Sequence, residues 1–186
     1  EQSELRAMLD VGSEPVVTTV ARLTFQKGYR ELVEALAACA DLPWVGLFVG
    51  RDDGDGPAIR QLLAERGLAH RVRLLGDRDD IPLLLAASDL FVLPSYTEGV
   101  PRSVIEAQCM GLPAVVTDIR GCREVVVHHL TGLIVKPRDP VSLASALRMI
   151  LQDSALRTEY GNNGSLRARR FFSENAVFDR IRSAYE

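Results

Sequence analysis

Two carboxylates, Glu98 and Glu106, stand in the stretch PSYTEGVPRSVIEA with seven residues between them, Gly99 and Pro101 included. Pro101 suits the first position of a helix, where its missing N–H costs nothing and its φ is preset. The N–H groups of Arg102, Ser103 and Val104 would then project from the helix start, and such a terminus attracts an anion, most naturally a phosphate. Gly99 allows a backbone to approach a ligand closely. Glu106 falls about five residues into the helix, roughly 7 Å along an axis rising about 1.5 Å per residue. Its side chain leans back toward the N-terminus. A carboxylate repels phosphate but accepts well from a vicinal diol, such as the ribose beside that phosphate. Glu98 precedes the helix and faces the other side of the phosphate, where a second hydroxyl-rich group would lie. The order diol, phosphate, diol is the layout of a nucleotide-diphosphate sugar.

Positioning those residues requires a strand to deliver Glu98 and a helix to carry Glu106. The chain supplies such units repeatedly. Strand-like runs at 15–21, 43–50, 71–76, 89–95, 112–118 and 131–137 alternate with helical patterns at 27–39, 57–67, 80–88 and 101–110, and with a helical turn near CREVVVHH. Several strands are continuously apolar, as in a parallel sheet covered on both faces. The rhythm predicts an α/β fold, a Rossmann-like doubly wound parallel sheet of six strands. From Pro140 onward the sequence reads only as helix, with the cluster Gly161-Asn162-Asn163-Gly164 as an expected break and a last helical segment in SENAVFDRIRSAYE. Ligands of open α/β sheets sit beyond the carboxyl ends of the strands. Four loops there carry chemistry: ARLTFQKG, GRDDGDGP, GDRDDIP and SYTEGVPR.

Composition limits the alternatives. The 186 residues are 47% hydrophobic and 25% charged, enough for one buried core. A net charge of −3 favours neither nucleic acid nor an anionic membrane. No apolar run approaches the roughly 20 residues of a membrane helix, and the N-terminus does not read as a signal peptide. Three cysteines, Cys39, Cys109 and Cys122, have no metal spacing and fit a reducing, cytoplasmic compartment.

The stretch from Glu98 to Glu106 resembles the E-x7-E motif of retaining GT-B glycosyltransferases, most closely glycosyltransferase family 4. The likeness extends over almost the whole chain. ARLTFQKG resembles that family's strand–loop–helix with an arginine and a lysine five apart, here Arg22 and Lys27. RVRLLGDRDDIPLLLAASDLFVLPS resembles the segment leading into the motif, and GLPAVVTDIRGCREVV with TGLIVKPRDP the segment after it.

The resemblance implies that residues 1–186 are the nucleotide-sugar (donor) binding half of a two-domain enzyme, with the acceptor-binding N-terminal domain outside this chain. Glu98 would contact donor-sugar hydroxyls and Glu106 the ribose diol. Arg22 and Lys27 would hold the diphosphate and its developing leaving-group charge. Backbone near Gly76, Asp77 and Arg78 would meet the base, and Gly50 would lie beneath the nucleotide. Gly99, Val100, Arg102 and Ser103 would surround the sugar and phosphate. Here the sequence departs from family members with Phe-Gly after the first Glu-Gly: Pro101 removes a donor, and Arg102 adds a cation. The resemblance implies no metal and no cofactor beyond the donor. It implies a polysaccharide or lipid-linked acceptor, a UDP-sugar donor, and a cytoplasmic enzyme that works at the inner face of a membrane. The fragment alone is expected to be inactive.

Glu98 and Glu106 read singly as first-turn acids, and Arg78 and Arg102 as surface arginines. Asp52, Asp53 and Asp55 fail the calcium-loop pattern. His128 and His129, adjacent on a helix, would face different ways. Arg167, Arg169 and Arg170 read as a solvated helix face, with lipid headgroups as the lesser alternative. Two rival functions use the same scaffold: a nucleotide-sensing regulatory module and a nucleotide-sugar 2-epimerase.

Overall fold

The computed structural model describes residues 2–172, so the helical expectation for SENAVFDRIRSAYE lies outside the described residues. The element order is α1 (Gln2–Met8), β1 (Val16–Val20), a 3-10 turn (Phe25–Lys27), α2 (Tyr29–Ala37), β2 (Val45–Val49), α3 (Gly56–Glu65) and β3 (Val72–Gly76). There follow α4 (Ile81–Ala86), β4 (Leu90–Leu93), α5 (Arg102–Cys109), β5 (Ala114–Thr117), α6 (Arg120–Val125), β6 (Gly132–Val135), α7 (Pro140–Gln152) and α8 (Ser154–Phe172).

The strands form a single parallel sheet in the order β3-β2-β1-β4-β5-β6. Side chains alternate across a strand, and both faces of this sheet are covered. Val17, Phe48, Leu90, Val92 and Val115 pack toward α2, α3 and α7, where Leu32, Leu36, Leu63, Leu147 and Ile150 are buried. Phe91, Leu93, Ala114 and Val116 face the other way, toward Val104 and Ala107 of α5 and Cys122 and Val125 of α6. This double burial is why β2, β4 and β5 read as nearly unbroken apolar runs. The two polar exceptions in β1 are satisfied: Thr18 Oγ1 shares a hydrogen bond with Ser88 Oγ at 2.6 Å, and Thr19 Oγ1 donates to Val92 O at 2.9 Å.

Sequence expectations failed at four places. Helix α1 was not anticipated. It is short, and Arg6 fastens it by an ion pair to Asp89 at the far end of β4. Pro101 is not the first helical residue but the N-cap of α5, with ψ 102°, and the helix begins at Arg102. The Gly161–Gly164 cluster does not break α8. A Cβ on Gly161 would lie 1.9 Å from Gly111 O, and one on Gly164 would lie 3.2 Å from the Gln108 side chain. Those glycines allow α8 to lie against α5 instead of ending it. Finally, His128 and His129 follow α6 rather than lying on a helix, and their rings stack with centroids 3.9 Å apart.

Arg167 is also not a purely solvated residue. Its guanidinium donates to Val125 O and Glu124 O, the last carbonyls of α6, where a cation is favoured.

Candidate functional site

The strand order reverses between β1 and β4: β2 and β3 extend the sheet to one side of β1, then the chain crosses over to β4 on the other. Loops leaving the carboxyl ends of β1 and β4 must therefore diverge, which opens a crevice at this point. Residues 21–28 and 95–102, two of the four loops marked in the sequence, border it.

Backbone bonds tie the loops into one rim. Tyr96 N donates to Gln26 O at 2.8 Å, Leu23 N to Arg51 O at 2.8 Å, and Gly50 N to Gly76 O at 2.8 Å. Two glycines make the approach possible. Gly28 has φ +69°, and a Cβ there would lie 2.1 Å from Pro94 O. Gly50 has φ +146°, and its Cβ would lie 2.1 Å from Ala21 O. Both positions require the left-handed region and close backbone contact, which glycine alone tolerates cheaply.

Across this rim Lys27 Nζ meets Glu98 Oε1 at 2.6 Å. The side chains are 18% and 14% exposed, so the pair is shielded from bulk water without being sealed from it. Ser95, at the end of β4, donates from Oγ to the same oxygen at 2.7 Å. The Thr117 hydroxyl donates to Ser95 O, linking β5 into the arrangement. Gly121 closes the other side: a Cβ there would lie 1.7 Å from Gly99 O.

Arg22 takes a different partner. Its NH1 lies 2.9 Å from Asp53 Oδ2, and the side chain is 61% exposed. Asp53 also binds Arg51, from Nε at 2.6 Å, and these two arginines hold its carboxyl below the usual range, Arg51 most strongly. Arg22 and Lys27 thus stand on the same loop with separate carboxylates. Arg22, Gly50, Asp77 and Arg78 line a cleft of about 370 Å³ with Val20, Ala21, Val49, Arg51 and Ile81. Arg78 is paired with Asp80, at 2.8 Å from its Nε.

The remaining sequence candidates lie on or before α5 and do not line that cleft. Gly99 has open space at its Cβ position, and Val100 is 48% exposed. Arg102 and Glu106 are exposed and Ser103 is half-buried. The first N–H groups of α5 have no partner within the helix, as at any helix start.

Two of the acids after β2, Asp52 and Asp53, are engaged by protein contacts. Asp52 Oδ1 accepts from Gly54 N and Gly56 N at the start of α3, and Asp53 serves the arginines. Among the described residues, no group of three or more His, Cys, Asp or Glu is placed to hold a metal ion. Burial pushes the Cys122 thiol up to about 12, and the charge of Glu98 adds to this, so it is a packed thiol rather than a nucleophile.

Sequence reasoning missed three contributors: Ser95, Asp53 and Arg51. Ser95 lay within the opening stretch, three residues before Glu98, and its hydroxyl was a usable signal. The arginine pairing around Asp53 depends on how the loop folds, and residue spacing does not reveal it.

A parallel sheet in this order, with cations and carboxylates gathered at its switch point, defines a Rossmann-like α/β domain of the kind found in GT-B folds. The family model of the glycosyl transferases group 1 matches residues 2–167, and the chain belongs to that family. It is 34% identical over 178 residues to an N,N'-diacetylbacillosaminyl-diphospho-undecaprenol alpha-1,3-N-acetylgalactosaminyltransferase of Campylobacter jejuni, covering 96% of this chain and 46% of that protein. It is 36% identical over 145 residues to a UDP-Gal:alpha-D-GlcNAc-diphosphoundecaprenol alpha-1,3-galactosyltransferase of Escherichia coli, covering 76% and 38%. Anabaena Alr3699/HepE, solved in complex with UDP and glucose, superposes with a TM-score of 0.92 at 30% identity, over 99% of this chain and 51% of that one. The chain therefore spans about half the length of these relatives or less.

Proposed function

We propose that this chain binds the donor of a retaining glycosyltransferase, a nucleotide-diphosphate sugar, and that a further domain supplies the acceptor. The observation that carries the reading is the Lys27–Glu98 pair bridging the loops after β1 and β4 at the switch point. A cation and a hydrogen-bond acceptor at one crevice suit a ligand with a charged centre and a hydroxylated end. The nucleoside and phosphate would enter from the cleft beside Arg22, Gly50, Asp77 and Arg78. The diphosphate would rest on Lys27, Arg22 and the start of α5, near Gly99, Val100, Arg102 and Ser103. Glu106 would accept from the ribose, and Glu98 from the sugar.

In transfer, the bond between the anomeric carbon and the diphosphate oxygen breaks, and an acceptor oxygen takes its place. Charge grows on the departing diphosphate. Preorganised cations and N–H groups stabilise that charge without reorganising, so no divalent metal is required in this reading. Similarity to enzymes named for undecaprenol-diphosphate substrates, and to a structure holding UDP, supports a UDP-sugar donor and a lipid-linked or polysaccharide acceptor. No described helix is long and apolar enough to cross a membrane.

Titration calorimetry against UDP, GDP and ADP tests the reading, with magnesium and with EDTA. One diphosphate should bind equally in both. Binding by none, or binding lost in EDTA, would overturn it.

A further inference from the structure

Glu98 has one oxygen occupied and one to spare. Oε1 accepts from Lys27 Nζ at 2.6 Å and from Ser95 Oγ at 2.7 Å. No described residue donates to Oε2, which is not among the sealed polar atoms. The oxygen pair is thereby made unequal: one is fixed by protein donors, and the other keeps its acceptor capacity.

Ser95 produces this asymmetry. It is 0% exposed, and its hydroxyl has a single proton to give, which goes to the carboxylate. Its own backbone is held by the Thr117 hydroxyl. On the far side of Glu98, its main chain and that of Gly99 lie so close to Gly121 that a Cβ there would sit 2.7 Å from Glu98 O and 1.7 Å from Gly99 O. A carboxylate held at its backbone and at one oxygen cannot rotate to bring both oxygens to a ligand. Lys27 alone would not achieve this, because its flexible stem follows the carboxylate wherever it turns.

We infer that Ser95 is a positioning residue for the sugar end of the donor: it locks Glu98 so that Oε2 alone meets the sugar, and a single hydroxyl is read. The inference rests on the assignment of Glu98 under the proposed function. Its consequence is selectivity. A site built around one acceptor discriminates sugars that present that hydroxyl from epimers that point it elsewhere. Lys27, sharing Oε1, keeps its other protons for phosphate.

The test is a double-mutant cycle on the chain, with Ser95→Ala, Glu98→Gln and both together. Calorimetry measures UDP against UDP-glucose and UDP-galactose, GDP against GDP-mannose, and ADP against ADP-glucose. The parent should favour one conjugate over its diphosphate or over its epimer. Ser95→Ala should shrink that ratio about fivefold or more, with the loss falling on the conjugate. In the Glu98→Gln background, Ser95→Ala should change the ratio no further. Additive effects, or an equal loss for diphosphate and conjugate, would overturn the inference and show a merely structural serine. If a diphosphate binds but Glu98→Gln leaves the ratio untouched, the inference falls while donor binding stands. If no diphosphate binds, both fall. Should Ser95→Ala fail to fold, Ser95→Cys carries the same test with a weak donor of similar size, and its ratio should be intermediate.

Discussion

On the proposed reading Lys27 and Glu106 would make separable demands on a ligand, because one is a cation at the crevice and the other an acceptor up α5. Lys27→Ala should weaken nucleoside diphosphate binding by about 1.5–3 kcal/mol, the cost of losing one shielded charged hydrogen bond. Affinity for the bare nucleoside should change little. Calorimetry with UDP and uridine checks this, and equal losses would show that Lys27 does not hold phosphate. Arg22→Ala should cost less, since its guanidinium is 61% exposed and already engaged by Asp53. Glu106→Gln should lower affinity for the ribonucleotide by about 1–3 kcal/mol and leave the 2′-deoxy form nearly unchanged. If both ligands bind the variant as they bind the parent, Glu106 is a structural acid. The places of these residues on the loop and the helix were legible because a motif fixes their spacing; their roles rest on the proposed function. The engagement of Arg22 with Asp53 was not, since a side chain's choice among nearby carboxylates is made by loop geometry.

At the scale of elements, the parallel strands were readable because several are apolar on both faces, and the loops at their carboxyl ends because they concentrate polar residues. Where reading failed, a tertiary contact overrode a local signal. Glycine clusters ordinarily end helices, but Gly161 in α8 is a contact surface for Gly111. This gives a signed prediction. Glycine to alanine within a helix normally gains roughly 1 kcal/mol. Gly161→Ala should instead lower the melting temperature, because its Cβ would sit 1.9 Å from Gly111 O. Asn162→Ala, exposed on the same helix, should raise it or leave it unchanged. A thermal melt of each variant decides, and a stabilised Gly161→Ala would mean that α8 does not lie against α5 as described.

Whole-molecule stability carries a pH signature from the turn before β6. His128 Nδ1 accepts a hydrogen bond from Ile134 N at 2.9 Å, a role open only to the unprotonated nitrogen. Burial, and secondarily the neighbouring His129, hold its pKa below the ordinary 6.5, against the pull of Asp118. The unfolded chain therefore takes up this proton before the native one does. Stability is full above about pH 6.5 and is lost as pH falls through the lower native value. The melting temperature should drop between pH 7.5 and 5.5. The drop should shrink in His128→Asn, which keeps an acceptor for Ile134 but cannot titrate. An undiminished drop would place the sensitivity elsewhere.

The central place of β1 in the sheet also sets an order of events. Lys27 and Glu98 are 71 residues apart in the chain, and β1 cannot pair with β4 until both exist. At a synthesis rate of about 5–20 residues per second, roughly 4–14 s separate the emergence of the two charges. During that interval β1, β2 and β3 can assemble as a sheet with an open edge and half a crevice. Nascent chains stalled before β4 should thus lack ligand affinity, and chains stalled well beyond α5 should have it. Fluorescent-nucleotide binding to stalled chains of stepped length would show it. The crevice between the diverging loops is then a clock as well as a place: it begins to exist when the fourth strand arrives.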